Sequence, residues 1–191
     1  MSIVGDLSFG LLLGFSLTIP PGPMNAWIAS NSVGSLRRGV ITGLGAMSAD
    51  LVLGVGVYLL ATHVDVTAFL RWVYVLGCVA MVFFGYRILA RRTDAAVPET
   101  GGLRSYSAAL GLGISNPFQI LWWLSAGLAF AYLGGIVLFV GLFGAIAVWI
   151  VVFPWAVHAG VRQSPRAGSL VTWVSGGIMV AFAVYFAVLA V

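Results

Sequence analysis

Asp50 is the residue of this sequence whose position has the clearest chemical consequence. It lies inside an apolar stretch that begins near residue 39, about 16 Å from the start of that stretch if the stretch is helical. About 20 apolar residues span a bilayer, and a charge at the centre costs about 2.5–3.5 kcal/mol. Asp50 is therefore in one of two states: it is protonated and neutral, or it is charged and faces a wet cavity that receives a cation. Proton-coupled transport needs a group that can adopt both states. A structural hydrogen bond, for example to Ser48, is the alternative.

A run of prolines interrupts the first apolar segment within residues 18–25. Pro20, Pro21 and Pro23 each remove a backbone donor and clash with the preceding turn, so a helix cannot continue through them. Gly22 followed by Pro23 suits the restart of a helix, because proline is favoured at the first helical position. A single proline would indicate a packing kink. Three prolines with a glycine favour a discontinuous helix at a binding site.

A second interruption is expected at Ser115-Asn116-Pro117. Asn116 is a good N-cap and Pro117 suits the position after it. Two half-helix starts would then point toward the membrane midplane from opposite sides, where their exposed amides suit a carboxylate and the freed carbonyls suit an ammonium group. The alternative is that both interruptions are helix kinks inherited by the two halves and bind no ligand. The other residues expected to line the cavity are Pro20, Asn25, Phe118 and Trp122, with packing an equal alternative for Trp122.

The composition shows which elements must position these residues. Of the 191 residues, 61% are hydrophobic and 7% are charged, with a mean hydropathy of +1.10; soluble domains carry about 25% charged residues. This excludes an ordinary soluble enzyme, a disordered protein and a nucleic-acid binder. We therefore predict an all-α integral membrane protein, in a single transmembrane domain over residues 1–191. Six apolar segments are visible, at about 7–33, 39–61, 66–90, 104–131, 134–158 and 168–191.

The arginines predict the orientation of these six segments. The sequence has nine arginines and no lysine, and eight of the nine lie in or beside the connections between segments one and two, three and four, and five and six. An excess of basic residues marks the cytoplasmic side. We therefore expect a multi-pass protein of the cell (plasma) membrane whose two termini both face away from the cytoplasm.

The two halves of the chain are similar in sequence. Residues 18–20 match residues 115–117 at an offset of 97, and further matches occur near the ends of the halves at an offset of 99. Each half contains three segments, so the second must enter the membrane inverted relative to the first. The prediction is a 3+3 inverted repeat in which helices 1 and 4 are broken near the bilayer midplane. The first repeat covers 1–92, a cytoplasmic linker 91–103, and the second repeat 104–191.

With these residues placed, the chain resembles the lysine exporter (LysE-type) family, which includes threonine and homoserine efflux proteins. The resemblance covers nearly the whole chain and rests on an ordered set of motifs. It implies export of amino acids or similar small metabolites from the cytoplasm, driven by the proton gradient or the membrane potential. Many relatives have lysine directly after Asn-Pro, where this chain has Phe118-Gln119, so Asp50 has no basic partner there. The shared motifs are Pro21-Gly22-Pro23, then Gly39, Gly43, Gly45 and Asp50, then Asn116-Pro117.

One deep acid and two helix starts favour a secondary transporter of a zwitterion, with the carboxylate at the amides and the ammonium group toward Asp50. We expect the substrate to be a neutral amino acid rather than lysine or arginine. We expect protons as the coupling ion, no cofactor or bound metal, and no enzymatic activity, since Asp50 with Ser48 is not a catalytic set. Small residues such as Gly10 and Gly14 permit close helix packing within a monomer or in a homodimer. A divalent metal-ion exporter and a non-transporting membrane scaffold or subunit are the alternatives, and the single Cys78 excludes a dithiol redox protein.

Overall fold

The computed structural model describes residues 3–60, 70–90, 102–124 and 136–189, and within these ranges it is helical and contains no strand. The predicted linker lies outside the described residues except for 102 and 103, as do parts of the predicted third and fourth segments. Eight helices follow one another along the described chain. They are α1 (Ile3–Thr18), α2 (Pro23–Gly34), α3 (Leu36–Leu60), α4 (Leu70–Leu89), α5 (Gly102–Ser115), α6 (Pro117–Trp122), α7 (Ile136–Gln163) and α8 (Pro165–Leu189).

Several of these helices are long and apolar enough to cross a membrane. Three stretches within the described residues qualify singly: Leu36–Val57, Ile136–Gln163 and Arg166–Tyr185. The pair α1 and α2 qualifies as a fourth when it is counted as one span, and its two members are bent by 76° relative to each other. The described residues therefore form a multi-pass helical bundle of three or four such spans.

Glycines let the helices of the two halves approach closely. A Cβ atom added at Gly10 of α1 would collide with the backbone carbonyl of Leu138 in α7, and one added at Gly14 would collide with that of Leu142. Gly45 of α3 faces the backbone of Tyr106 in α5 in the same way. Small residues at helix crossings are the usual means of close packing in membranes, because they bring backbones together. As a result α1 packs mainly on α7, and α5 packs mainly on α3.

Three of the helix ends that carry arginines lie at the same end of the bundle. The start of α5 contacts the start of α3, where Gly102 lies against Ile41. The start of α8 contacts the ends of α7 and α2, where Gly168 lies between Val161 and Val33. Arg37 and Arg38, Arg104, and Arg162 and Arg166 belong to these ends.

Two apolar clusters form the buried core. One joins α2, α4, α5 and α8 around Met81 and Met179, and the other joins α1 and α7 around Leu142 and the indole of Trp123. Asp50 and Gln119 are among the few polar side chains buried in the bundle. Polar side chains are costly to bury in a membrane bundle, so these groups need hydrogen-bond partners within it.

Candidate functional site

Asp50 is buried in the middle of α3, with 4% of its surface exposed. Its Oδ1 atom accepts two hydrogen bonds, from Gln119 Nε2 at 2.6 Å and from Trp123 Nε1 at 2.9 Å. Among the described residues, no donor reaches the second oxygen, Oδ2. The carboxyl group is therefore held through one oxygen, while the other is left for a proton or a ligand.

The segment that follows Pro117 supplies both of these donors. Gln119 and Trp123 are four positions apart, so they lie on one face of this helical segment. The ring of Trp123 fits against Gly54, one turn beyond Asp50, where an added Cβ would lie 2.8 Å from the indole. The ring also stacks on Phe143 of α7, with centroids 6.5 Å apart. Close packing against Gly54 and Phe143 thus restricts the direction of the indole N–H.

Gln119 retains an unused acceptor. Its side chain is 4% exposed, and its Oε1 atom is buried with no hydrogen-bond partner among the described residues. A buried polar atom without a partner costs about 1–3 kcal/mol. This oxygen is therefore suited to accept a hydrogen bond from a molecule that enters beside Asp50, such as water or an ammonium group.

Asn25 joins the two sides of the bend between α1 and α2. Helix α2 begins at Pro23 behind Gly22, whose backbone is extended. The Asn25 amide nitrogen donates to the carbonyls of Thr18 and Pro20, and its oxygen accepts from Trp149 Nε1 at 3.1 Å. The sequence leaves the carbonyls freed by the interruption open to an ammonium group, but Asn25 already donates to the carbonyl of Thr18.

The second interruption follows the local rules that the sequence suggests. α5 ends at Ser115, and α6 begins at Pro117 with Asn116 as its N-cap. The Asn116 side chain accepts a hydrogen bond of 3.2 Å from the backbone of Phe118. Ser115 donates to the carbonyl of Gly111, one turn earlier in its own helix. Asn116 is 2 % exposed, so this cap is part of the protein interior.

A small cavity connects Asp50 with both interruptions. It has room for about 50 Å³, which is the space of a few waters and well below the roughly 300 Å³ at which ligand pockets begin. As described, the cavity is therefore too small to hold an amino acid. Of the residues that the sequence singled out, the cavity brings together Asp50, Pro20, Gly22, Pro23, Asn25, Asn116 and Phe118.

The remaining candidates lie elsewhere. Pro21 lines a neighbouring cavity, whereas Ser115, Pro117 and Trp122 line neither of the two. Trp122 packs edge-on against Trp123, with ring centroids 5.3 Å apart. This contact agrees with the packing alternative, and a role for Trp122 at the cavity stays a prediction.

Sequence reasoning missed Gln119 and Trp149 at the site, and it considered Trp123 only as a possible cavity wall beside Trp122. Gln119 and Trp123 had a usable signal, because two side-chain donors four positions apart after Asn-Pro share one helix face. Trp149 had no such signal, because a tryptophan in a long apolar helix is usually a packing residue. Its role as the hydrogen-bond partner of Asn25 depends on how α7 packs on α2.

The neighbouring cavity is larger and mainly apolar. It has a volume of about 370 Å³ and lies between α2, α7 and α8. Gly22, Asn25 and Trp149 line both cavities. The hydrogen bond between Asn25 and Trp149 therefore lies at the boundary between a polar compartment at Asp50 and an apolar compartment beside it.

The described residues do not contain a group of three or more His, Cys, Asp or Glu side chains that could hold a metal ion. Asp50 is instead surrounded by amide and indole donors. Both donors act on Oδ1, so the contacts that the structure describes at this carboxyl group are hydrogen bonds to one oxygen.

Apolar helices of bilayer-spanning length and a polar site buried among them define a multi-pass membrane protein. The chain matches the family model described as LysE type translocator over residues 15–190, and it belongs to this family. It is 30% identical over 126 residues to a Bacillus subtilis (strain 168) protein named "Putative amino acid efflux protein YcgF", in an alignment that covers 60% of this chain and 58% of the relative. The chain thus spans less than two thirds of that relative. No solved structure matches it.

Proposed function

We propose that this protein is a secondary active transporter that exports amino acids or similar small zwitterionic metabolites from the cytoplasm, coupled to protons through Asp50. The observation that carries the proposal is the buried Asp50 carboxyl group, which lines one cavity together with the bend after α1 and the N-cap of α6. Family membership and the name of the Bacillus subtilis relative support it.

The geometry of the carboxyl group suits a residue that gains and loses a proton. Two N–H donors hold Oδ1, and they can do so whether Asp50 is charged or neutral. A proton would therefore reside on Oδ2, and its loss would leave Oδ2 charged and open to a cation. An arriving ammonium group can then replace the proton at the same oxygen without moving Gln119 or Trp123.

The site offers a complementary group for each charged end of a zwitterion. Its ammonium group would interact with Oδ2 of Asp50 and Oε1 of Gln119, which has no partner in the described part of the chain. Its carboxylate would lie toward the first amides of α2, where the helix dipole favours negative charge. The cavity at Asp50 is too small for an amino acid, so transport requires the helices around it to separate.

The topology that we propose has six spans in two inverted halves, with spans one and four broken at the site. The reciprocal packing of α1 on α7 and α5 on α3 supports this arrangement, because an inverted repeat generates paired contacts of this kind. The bundle end that carries Arg37, Arg104 and Arg162 would face the cytoplasm under the positive-inside rule. Both termini would then face away from it.

Solute exchange in proteoliposomes tests the proposal. Purified protein is loaded with single amino acids, and uptake of the labelled amino acid is followed in the original chain, in Asp50→Asn and in Asp6→Asn. Asp6 lies in the first turn of α1, so Asp6→Asn controls for the loss of a carboxyl group outside the site. Saturable exchange that survives in Asp6→Asn and is lost in Asp50→Asn is the expected result.

Equal exchange by both variants would remove Asp50 from the mechanism. If folded protein exchanges no amino acid, the same vesicles are tested with divalent metal ions. Metal flux would favour the metal-exporter alternative, and the absence of any flux would favour a membrane scaffold.

A further inference from the structure

The apolar cavity beside the Asp50 site is a cleft that opens at the surface of the bundle, where Ile19, Leu170 and Val174 of its lining are half-exposed or more. Its volume of about 370 Å³ lies within the range of about 300–1,000 Å³ that ligand pockets occupy. It begins where the polar cavity ends, because Gly22, Asn25 and Trp149 line both. The two cavities therefore adjoin at these three residues, so the space beside the polar head of a molecule at Asp50 leads toward the apolar cavity.

The walls of the apolar cavity select for uncharged groups. One wall is formed by Trp149 and Phe153, whose rings are stacked with centroids 5.0 Å apart and planes inclined by 7°. The small side chains of Ala26 and Ala29 on α2 also line it. No acidic or basic side chain is among the described residues that line it. A lysine or arginine side chain would find no partner for its charge here, which strongly disfavours binding.

We propose that this cavity receives the side chain of the transported amino acid, so that the substrate is a neutral amino acid with a large aliphatic or aromatic side chain. The inference rests on the proposed function and adds the substrate class to it. Asp50 and the start of α2 would hold the common zwitterionic head, whereas Ala29, Trp149 and Phe153 would discriminate among side chains. The competing occupant of such a cavity is a lipid acyl chain, which would make no contribution to substrate selection.

Competition during solute exchange tests the selectivity of the unmodified protein. Uptake of labelled leucine is measured against unlabelled phenylalanine and methionine, and against alanine, serine and lysine. We expect phenylalanine and methionine to compete at least about 10-fold better than the second group, since each methylene that a side chain lacks in a well-filled hydrophobic pocket weakens its binding by roughly 10–200-fold. Equal competition by serine or lysine would overturn the inference.

A cavity-filling variant tests the location of the pocket. Ala29→Leu places a larger side chain in the cavity from α2, and Ala147→Leu, at an exposed position of α7, is the matched control. Leucine exchange should fall at least about 10-fold in Ala29→Leu, while alanine exchange remains and shows that the protein is folded. If Ala29→Leu does not fold, Val174→Phe, at a half-exposed position of the same cavity, takes its place.

The outcomes separate this inference from the proposed function. Exchange of amino acids with an unchanged substrate preference in Ala29→Leu would overturn the side-chain pocket and leave the transporter intact. The same result would favour a lipid in the cavity. Failure of the folded original chain to exchange any amino acid would overturn both.

Discussion

The hydrogen bond between Trp123 and Asp50 is predicted to couple α3 to the segment after Pro117. Both side chains are almost fully buried, and Nε1 lies 2.9 Å from Oδ1. Trp123→Phe removes the N–H group and keeps an aromatic ring against Gly54. The single variant also leaves a small void, so its total destabilisation does not measure the hydrogen bond. A double-mutant cycle with Asp50→Leu isolates the bond, because the void contributes to both backgrounds.

The coupling energy can be bounded from known ranges. Side-chain hydrogen bonds in a membrane protein average about 0.6 kcal/mol in such cycles, with a maximum of about 1.7 kcal/mol. Hydrogen bonds to charged groups contribute about 1.5–3 kcal/mol. The Trp123 bond shares its acceptor oxygen with Gln119 and is well aligned and buried, so we expect a coupling of about 1–2 kcal/mol.

The assay is unfolding by SDS in mixed micelles, followed by the loss of helical circular dichroism, for the original chain, both single variants and the double variant. Trp149→Phe in the same cycle with Asp50→Leu is the matched control, because the Trp149 indole donates to Asn25. The control coupling should stay below about 0.5 kcal/mol. A Trp123 coupling no larger than the control would refute the assignment of this bond to the core of the site.

Three further predictions concern the scaffold around the site. Gly10→Ala should destabilise the bundle by about 1–3 kcal/mol, because the new methyl group would collide with the carbonyl of Leu138. Gly144→Ala is the control, because an added Cβ there has its nearest contact at 3.9 Å. It should destabilise the bundle much less in the same SDS titration. Asn116→Ala should cost about 0.5–2 kcal/mol through loss of the cap, and a normal unfolding midpoint would contradict the cap. A cysteine at Gln163, introduced into a variant whose own Cys78 has been replaced, should be labelled by an impermeant maleimide only from the cytoplasmic side. Labelling from the outside would invert the proposed topology.

The positions at which helices begin could be predicted from the sequence. Proline and asparagine act through local rules, since proline lacks the N–H group and asparagine caps the first turn. α2 begins at Pro23 and α6 at Pro117, where these rules place them. Such features need only a few neighbouring residues, so no knowledge of tertiary packing is required.

The hydrogen-bond partners of Asp50 could not be predicted in this way. They are 69 and 73 positions away along the chain, and they face Asp50 only because α5 packs against α3. The choice between Trp122 and Trp123 shows the difficulty. Adjacent residues on a helix point about 100° apart, so the sequence places two tryptophans near the site without showing which of them faces the carboxyl group.

The fate of the freed carbonyls also depends on side-chain geometry that the sequence does not reveal. The interruption at Pro20 frees backbone acceptors, and the sequence alone leaves them open to a ligand. In the structure Asn25 reaches back and donates to Thr18 and Pro20. A residue that looked like a cavity wall is therefore also the group that completes the backbone hydrogen bonds of the bend.

Proton movement driven by substrate is the most direct test of coupling through Asp50. Proteoliposomes that contain a trapped pH-sensitive dye receive leucine from outside, and the interior pH is recorded for the original chain, Asp50→Asn and Asp6→Asn. The proposed mechanism predicts a leucine-dependent pH change in the original chain and in Asp6→Asn, and none in Asp50→Asn. Leucine uptake without a pH change, or an equal pH change in Asp50→Asn, would contradict it.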